Sequence, residues 1–107
     1  MVYKRLVKTV AKTVTTAGTA EELAAAQLYV KECKILAPST NTGVVYLGDS
    51  TVAAANGYPL AAGESLDLGD LLKDPSEETV FDLNQIYADV SVDGEGVVIF
   101  YLEKTSV

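Results

Sequence analysis

The alternation of apolar and polar residues over residues 2–16 predicts a first β-strand. Val2, Leu6, Val10 and Val14 would share one face of that strand, with lysines interleaved between them. Helical spacing is also present in this segment, but eight of its fifteen residues are valine or threonine. Because branched side chains at Cβ favour the pleated surface of a sheet, we predict a strand.

A capping pattern follows this strand and predicts one short helical turn over residues 21–26. Gly18 interrupts the alternation, and Thr19 and Glu22 then have the spacing of a capping box, in which the threonine caps the helix. Three alanines come next, and Leu23 is the only large apolar residue that could anchor such a turn.

Short apolar runs separated by turns that contain glycine, proline or small polar residues predict the remaining strands. We expect strands at 28–37, 44–47, 66–69, 80–83, 85–92 and 97–103, and a loop or edge strand within 51–66. The absence of alternation between strands and helices argues against a parallel sheet. The sequence therefore predicts a single all-β domain over residues 1–107, an antiparallel β-sandwich or small barrel with at most the one short helix.

The last predicted strand is the most apolar segment of the chain. Residues 93–96, with the sequence Asp-Gly-Glu-Gly, give the strongest hairpin pattern and should join it to the strand before. Residues 97–103, VVIFYLE, are nearly continuous in apolar character. We therefore expect this strand to be central in its sheet and covered on both faces.

Charge is distributed unevenly along the 107 residues, although the formal net charge is −7. Lys4, Arg5, Lys8 and Lys12 precede the first acidic residue, whereas residues 49–103 hold twelve acidic residues and one base. An acidic body repels nucleic acid and anionic membranes, so neither is predicted as a partner. The basic segment would bind an acidic partner, or it would only solvate the exposed face of a first strand.

The residue types present exclude most catalytic and metal chemistry. The chain has no histidine and one cysteine, so it lacks the commonest general base and the ligands of thiolate or histidine zinc sites. Fifteen acidic residues could still supply a carboxylate pair, but few aromatic residues are available to line a sugar-binding cleft. We predict a non-enzymatic protein without a cofactor or metal, and no apolar run is long enough for a transmembrane helix.

Individual side chains carry a few further expectations. Cys33 and Tyr101 lie in apolar runs and should be part of the core, whereas Tyr58 lies in a loop of small residues and is the best candidate for a contact residue. Asp82 and Asp89 should hold a neighbouring loop by accepting hydrogen bonds from its backbone amides. The carboxylates of residues 89–95 would hold calcium or would form an ordinary solvated turn.

Several motifs occur in an order that resembles a known family. NTGVVYLGDSTV at 41–52 is followed by LAAGES at 60–65, by FDLNQIYAD at 81–89 and by the closing turn. This set is similar to small jelly-roll structural proteins encoded by tailed phages and prophages, and it spans most of the chain. The family includes head-decoration, or cement, proteins and other virion surface modules, and it brings no catalytic residues.

The resemblance implies a jelly-roll form of the antiparallel sandwich and a function in the virion. A decoration protein would be made in the host cytoplasm and lie on the capsid surface, bound to the major capsid protein and to copies of itself as a homotrimer. Alternatives are a carbohydrate- or receptor-binding module of a head or tail fibre, and a bacterial cytosolic β-domain with no virion.

The resemblance does not explain the basic segment at the start of the chain. Residues 1–12 would be an extended arm or would pair within the domain as its first strand, and these two interpretations stay open. We predict that Lys4, Arg5, Lys8 and Lys12 touch the capsid or a neighbouring subunit, and that Tyr58 is the next contact residue.

Overall fold

The fold is all-β in a computed structural model that describes residues 3–30, 33–68 and 81–106, with side chains over 7–30, 33–68 and 81–101. Within these residues it includes a short 3-10 turn, η1 (Leu83–Gln85). The strands are β1 (Tyr3–Thr13), β2 (Glu21–Glu22), β3 (Tyr29–Val30), β4 (Cys33–Leu36), β5 (Val45–Gly48), β6 (Tyr58–Leu60), β7 (Ser65–Asp67), β8 (Phe81–Asp82), β9 (Tyr87–Val90) and β10 (Gly96–Ser106).

The strand pairing is nested, because the first half of the chain runs back along the second half. β1 pairs with β10, β2 with β9, β3 with β8, β4 with β7 and β5 with β6, and every pair is antiparallel. Two further pairs, β10 with β4 and β9 with β5, roll this long hairpin up. The result is sheet 1, in the order β1-β10-β4-β7, and sheet 2, in the order β2-β9-β5-β6, with β3 and β8 as a separate ribbon.

One core cluster joins the two sheets. Alternate residues of each strand point into it: Ile35 and Ile99 from sheet 1 and Val45 and Val90 from sheet 2 are each at most 2% exposed. The period-two alternation is clearest in β4, where Cys33 and Ile35 are buried and their neighbours are exposed. Burying each large apolar side chain contributes about 1.5–3 kcal/mol to folding, so this cluster is the main source of stability.

The structure confirms the all-β, antiparallel class and the first strand predicted over residues 2–16, which is β1. The run at 28–37 contains two strands, β3 and β4, rather than one, and the edge strand expected within 51–66 is β6.

The helical turn predicted over residues 21–26 is wrong. Glu21 and Glu22 instead form β2 and pair with Ala88 and Tyr87 of β9. The Leu23 N–H donates to the Ile86 carbonyl oxygen at 2.9 Å. In a helix this N–H would instead donate to a carbonyl four residues earlier, so the observed bond replaces a helical one. Burial of Leu23 at 2% exposure fixes this arrangement, and tertiary packing overrides the local capping pattern.

The hairpin predicted at residues 93–96 is also wrong, because β9 and β10 lie in different sheets. The turn is a corner that carries the chain from sheet 2 to sheet 1, and Gly94 supplies its positive φ of 82°. The corner is tied to β1, since the Gly94 N–H donates to the Val14 carbonyl and the Val14 N–H donates to the Glu95 carbonyl, both at 2.9 Å.

β10 is central in sheet 1, as predicted, but only one of its faces is covered. Val97 and Ile99 are buried, at 2% and 0% exposure. Phe100, which lies between Ile99 and Tyr101 in the strand, is 48% exposed. The apolar run is continuous because one face fills the core and the other is an apolar surface.

Replacing neighbouring residues of β10 tests this assignment of faces. Ile99→Ala should lower the free energy of unfolding by about 2–5 kcal/mol, because it leaves a cavity in the core. Phe100→Ala removes a larger side chain, but from the exposed outer face. It should therefore lower the free energy of unfolding by well under half as much as Ile99→Ala does. Urea denaturation of the two variants measures both values, and a greater loss for Phe100→Ala would contradict the assignment.

Candidate functional site

The predicted basic contact residues all belong to a paired strand. β1 pairs with β10 over its whole length, from Tyr3 opposite Ser106 to Thr13 opposite Gly96, so the segment is the edge strand of sheet 1. The Lys8 side chain is exposed. Lys4 and Arg5 lie in the same strand by their backbone, and their side chains lie outside the described part of the structure.

Lys12 forms an ion pair with Glu21 at the point where β1 approaches sheet 2. Its Nζ atom lies 3.0 Å from Glu21 Oε1, and both side chains are partly buried. The other oxygen, Oε2, accepts a hydrogen bond from the Thr15 N–H at 2.8 Å. The Thr15 amide, followed by Lys12, holds the pKa of the Glu21 carboxyl below its ordinary value, so this carboxylate is charged at neutral pH.

An apolar patch lies on the outer face of sheet 1 and extends from β1 across β10 to β4. Val7, Phe100 and Leu36 are 59%, 48% and 38% exposed. Ala11, Val98 and Leu36 are direct cross-strand partners and form one row across three strands. We call these five residues the outer patch. The sequence pattern does not show this patch, because the continuous apolar run of β10 predicts a strand that is covered on both faces.

Tyr58 lies at the opposite side of the molecule from β1. It is 46% exposed in β6, an edge strand of sheet 2, and it borders an apolar cavity of about 320 Å³ between the sheets. Ile35, Leu47 and Leu66 line this cavity, together with the polar residue Asp49. The structure therefore does not bring Tyr58 together with the basic residues of β1.

Asp82 and Asp89 hold loops by their backbone amides, which confirms the prediction. Asp82 Oδ1 accepts hydrogen bonds from the N–H groups of Leu28 and Asn84, each at 3.0 Å. Asp89 is only 3% exposed, and its Oδ1 accepts from the N–H groups of Gly18 and Val90, each at 2.8 Å. A buried carboxylate needs such donors, because desolvation without them would be costly.

Asp93 and Glu95 bind backbone amides in the same way. Asp93 Oδ1 accepts from the Ala17 N–H at 2.7 Å. Glu95 uses both oxygens: Oε2 accepts from the Thr42 N–H at 2.7 Å and Oε1 from the Gly43 N–H at 2.8 Å. These amides, Thr42 first and Gly43 second, lower the pKa of the Glu95 carboxyl. We call Asp89, Asp93 and Glu95 the corner carboxylates.

The corner carboxylates have a structural role in addition to forming a turn. They are more than a solvated turn, because each holds a loop from the first half of the chain. Across residues 3–30, 33–68 and 81–106, no group of three or more cysteine or acidic side chains is arranged to hold a metal ion.

Cys33 and Tyr101 are core residues, as predicted. Cys33 is 4% exposed, and burial, followed by the charge of Asp67, raises the pKa of its thiol to about 11. The thiol is therefore protonated at neutral pH and is a poor nucleophile. Tyr101 is 8% exposed and faces the same side of sheet 1.

Removing the buried corner carboxylate should destabilise the fold. Asp89→Ala leaves the amides of Gly18 and Val90 without an acceptor, at a cost of about 1–3 kcal/mol. Asp89→Asn keeps a carbonyl oxygen that can accept both hydrogen bonds, so it should lower the free energy of unfolding by less than Asp89→Ala does. Urea denaturation distinguishes them, and equal losses for the two variants would mean that the hydrogen bonds are not the cause.

Stability should fall in acid because the Glu95 and Glu21 carboxyls have lowered pKa values in the folded protein. A lowered folded-state pKa contributes stability above the unfolded value, near 4.5 for these groups, and that contribution is lost as the pH falls through the folded value. The melting temperature should therefore drop as the pH is lowered from about 5 towards 3.

The variant Glu95→Gln should flatten this pH dependence and lower the melting temperature at pH 7, since its amide nitrogen cannot accept from one of the two N–H groups. Glu64→Gln is the matched control, because Glu64 accepts only one backbone bond, from Ala61 to its Oε1 atom. Differential scanning calorimetry across pH measures both. An acid dependence in Glu95→Gln equal to that of the control would exclude Glu95 as a cause.

No helix within the described residues has the length and hydropathy to cross a membrane. Comparison with family models, with curated proteins and with solved structures found no match to the chain. The likeness of its motifs to phage jelly-roll proteins thus stays a prediction.

Proposed function

We propose that the chain is a non-enzymatic structural protein of a phage virion, a decoration or cement protein that binds the outside of the capsid. The observation that carries this proposal is the surface formed by β1 and the outer patch. It combines the edge strand of sheet 1, which carries four basic residues, with exposed apolar side chains, and both are features of a protein-binding surface. Lys8 and Lys12 lie directly opposite the buried Tyr101 and Val97, so these two lysines are on the other face of β1 from the outer patch, and a partner that reaches both must bind along the edge itself.

The strand order supports the jelly-roll form of the sandwich. A jelly roll is a long antiparallel hairpin whose two arms wrap together into two four-stranded sheets. The nested pairs of this chain, from β1–β10 inwards to β5–β6, and the sheet orders β1-β10-β4-β7 and β2-β9-β5-β6 agree with that arrangement and support the proposal. Viral capsid proteins and lectins share this architecture, so it agrees with the proposal without identifying the function.

The proposed partners are the major capsid protein and other copies of the chain. Within the described residues no strand pairs with the outer edge of β1, which is eleven residues long, and an open edge of this length is a hazard unless charges or a partner protect it. Binding on the capsid would cover it, with Lys4, Arg5, Lys8 and Lys12 facing acidic groups. A homotrimer is the proposed assembly, because closed symmetric oligomers are the usual way to cover exposed surface.

A carbohydrate- or receptor-binding module of a fibre is the second candidate, and Tyr58 is the observation that favours it. An exposed tyrosine beside an apolar cavity that Asp49 also lines offers a stacking surface and a polar group for a sugar ring. This site would use the side of the molecule away from β1.

The number of copies in the virion separates these candidates. A decoration protein should be present in hundreds of copies per particle, in a fixed ratio to the major capsid protein, whereas a fibre module should be present in tens or fewer. Quantitative gel densitometry of particles purified from the phage that encodes the chain measures this ratio.

A low ratio would contradict the decoration function and favour the fibre module. Absence from purified particles, together with a gene that has no phage genes beside it, would favour the bacterial cytosolic β-domain. The control is the major capsid protein itself, whose band intensity calibrates the gel in the same lane.

A further inference from the structure

We infer that the open edge of β1 binds an extended, acidic segment of another protein, which adds to sheet 1 as a fifth strand. Strand addition supplies backbone hydrogen bonds for affinity and leaves the side chains to give specificity. This inference rests on the proposed function in taking β1 as the contact strand, and it adds the mode of binding and the chemistry of the partner.

The register of β1 shows which backbone groups are available. Val14 exchanges hydrogen bonds with the corner at residues 94 and 95, in line with the β1–β10 register. Because alternate residues of an antiparallel strand bond to the same neighbour, the even-numbered residues of β1 face β10. The odd-numbered residues Val7, Thr9 and Ala11 therefore direct their N–H and C=O groups towards the open edge, and all three are exposed.

Glu21 shows that a carboxylate fits this edge. The odd-numbered Thr15, just beyond β1, directs its N–H away from β10, and Glu21 Oε2 accepts from it at 2.8 Å. The same carboxylate pairs with Lys12. Glu21 thus binds one end of the β1 edge through a backbone N–H and a lysine. We propose that carboxylates of the partner bind the rest of the edge in the same way.

The lysine spacing specifies the partner further. Lys4, Lys8 and Lys12 recur every four residues of β1. A strand beside β1 rises by about 3.4 Å per residue, as β1 does, so acidic residues four apart in the partner would match the lysines. The proposed partner therefore places acidic residues four apart along this row of lysines.

A second copy of β1 is a poorer occupant. Two β1 strands that pair antiparallel with full overlap are centred on Lys8, which places Lys8 opposite its own copy and Lys4 opposite Lys12. Like charges directly opposite each other destabilise a strand pair.

The other outer edges of the two sheets are less suited to strand addition. β2 has two residues, β7 has three, and β6 has three and includes Pro59, which lacks an N–H group. Within the described residues, β1 is therefore the edge that offers a long ladder.

A designed peptide tests the inference directly on the full chain. The probe is a fluorescent nine-residue peptide of alternating threonine and valine, with glutamates at its third and seventh positions. The control peptide carries the glutamates at its third and sixth positions, so that they lie on opposite faces of a strand. Fluorescence anisotropy should show about fivefold weaker binding of the control, since an exposed ion pair is lost.

Two variants at one position test the backbone contribution. Thr9→Pro removes an N–H group on the open edge without touching the bonds to β10, and it should weaken peptide binding at least tenfold. Thr9→Val is the matched control, because it keeps the N–H group and the branched side chain, and it should bind within about twofold of the original chain.

Amide hydrogen exchange on the original chain gives an answer even if Thr9→Pro fails to fold. The free protein should exchange the amides of Val7, Thr9 and Ala11 quickly, and the peptide should slow them. Equal binding of the two peptides, protection at β6 or β7 instead, or equal competition by an oligothymidylate would overturn the inference. If the protein binds the peptide but is present in few copies per virion, the decoration function is contradicted and the strand-addition inference still stands.

Discussion

Carboxylates in the second half of the chain hold the backbone of the first half, and the fold depends on this interaction. Nested pairing brings the corner between β9 and β10 next to the loops that follow β1 and β4. Apolar packing aligns the sheets but cannot satisfy the amides of those loops. Asp89, Asp93 and Glu95 supply acceptors for them. The acidic second half is therefore partly a structural requirement, rather than only a means of solubility.

The strands and the class were predictable because they depend on local patterns. Alternation and branched residues identify β1, and turn residues separate the shorter strands. The role of Asp82 and Asp89 was also predictable, since their side chains flank a strand and suit amide hydrogen bonds. The helix near Glu21 and the hairpin at 93–96 failed for one reason. Both segments pair with residues far away in the sequence, and local preferences do not contain that information.

The candidate surface was predictable in its charges and not in its apolar part. Lys8 and Lys12 stand out in the sequence because acidic residues are absent around them. Phe100 does not stand out, because a continuous apolar run has the same pattern in a strand covered on one face and in a strand covered on both. Only the position of β10 in sheet 1 shows that Phe100 and Val98 form part of an exposed face. Tyr58 is exposed, as its loop suggested, but it lies at another edge of the molecule.

The pairing of β1 with β10 also determines when the molecule can finish folding. The two strands are separated by nearly the whole described chain, and contacts between such distant segments form slowly because a long loop must close first. During synthesis on the ribosome, β1 must wait for its neighbour with both edges unpaired. A valine-rich strand in that state is prone to aggregate, and regularly spaced positive charges oppose it by mutual repulsion. The lysines of β1 thus protect the nascent chain from aggregation before sheet 1 has formed.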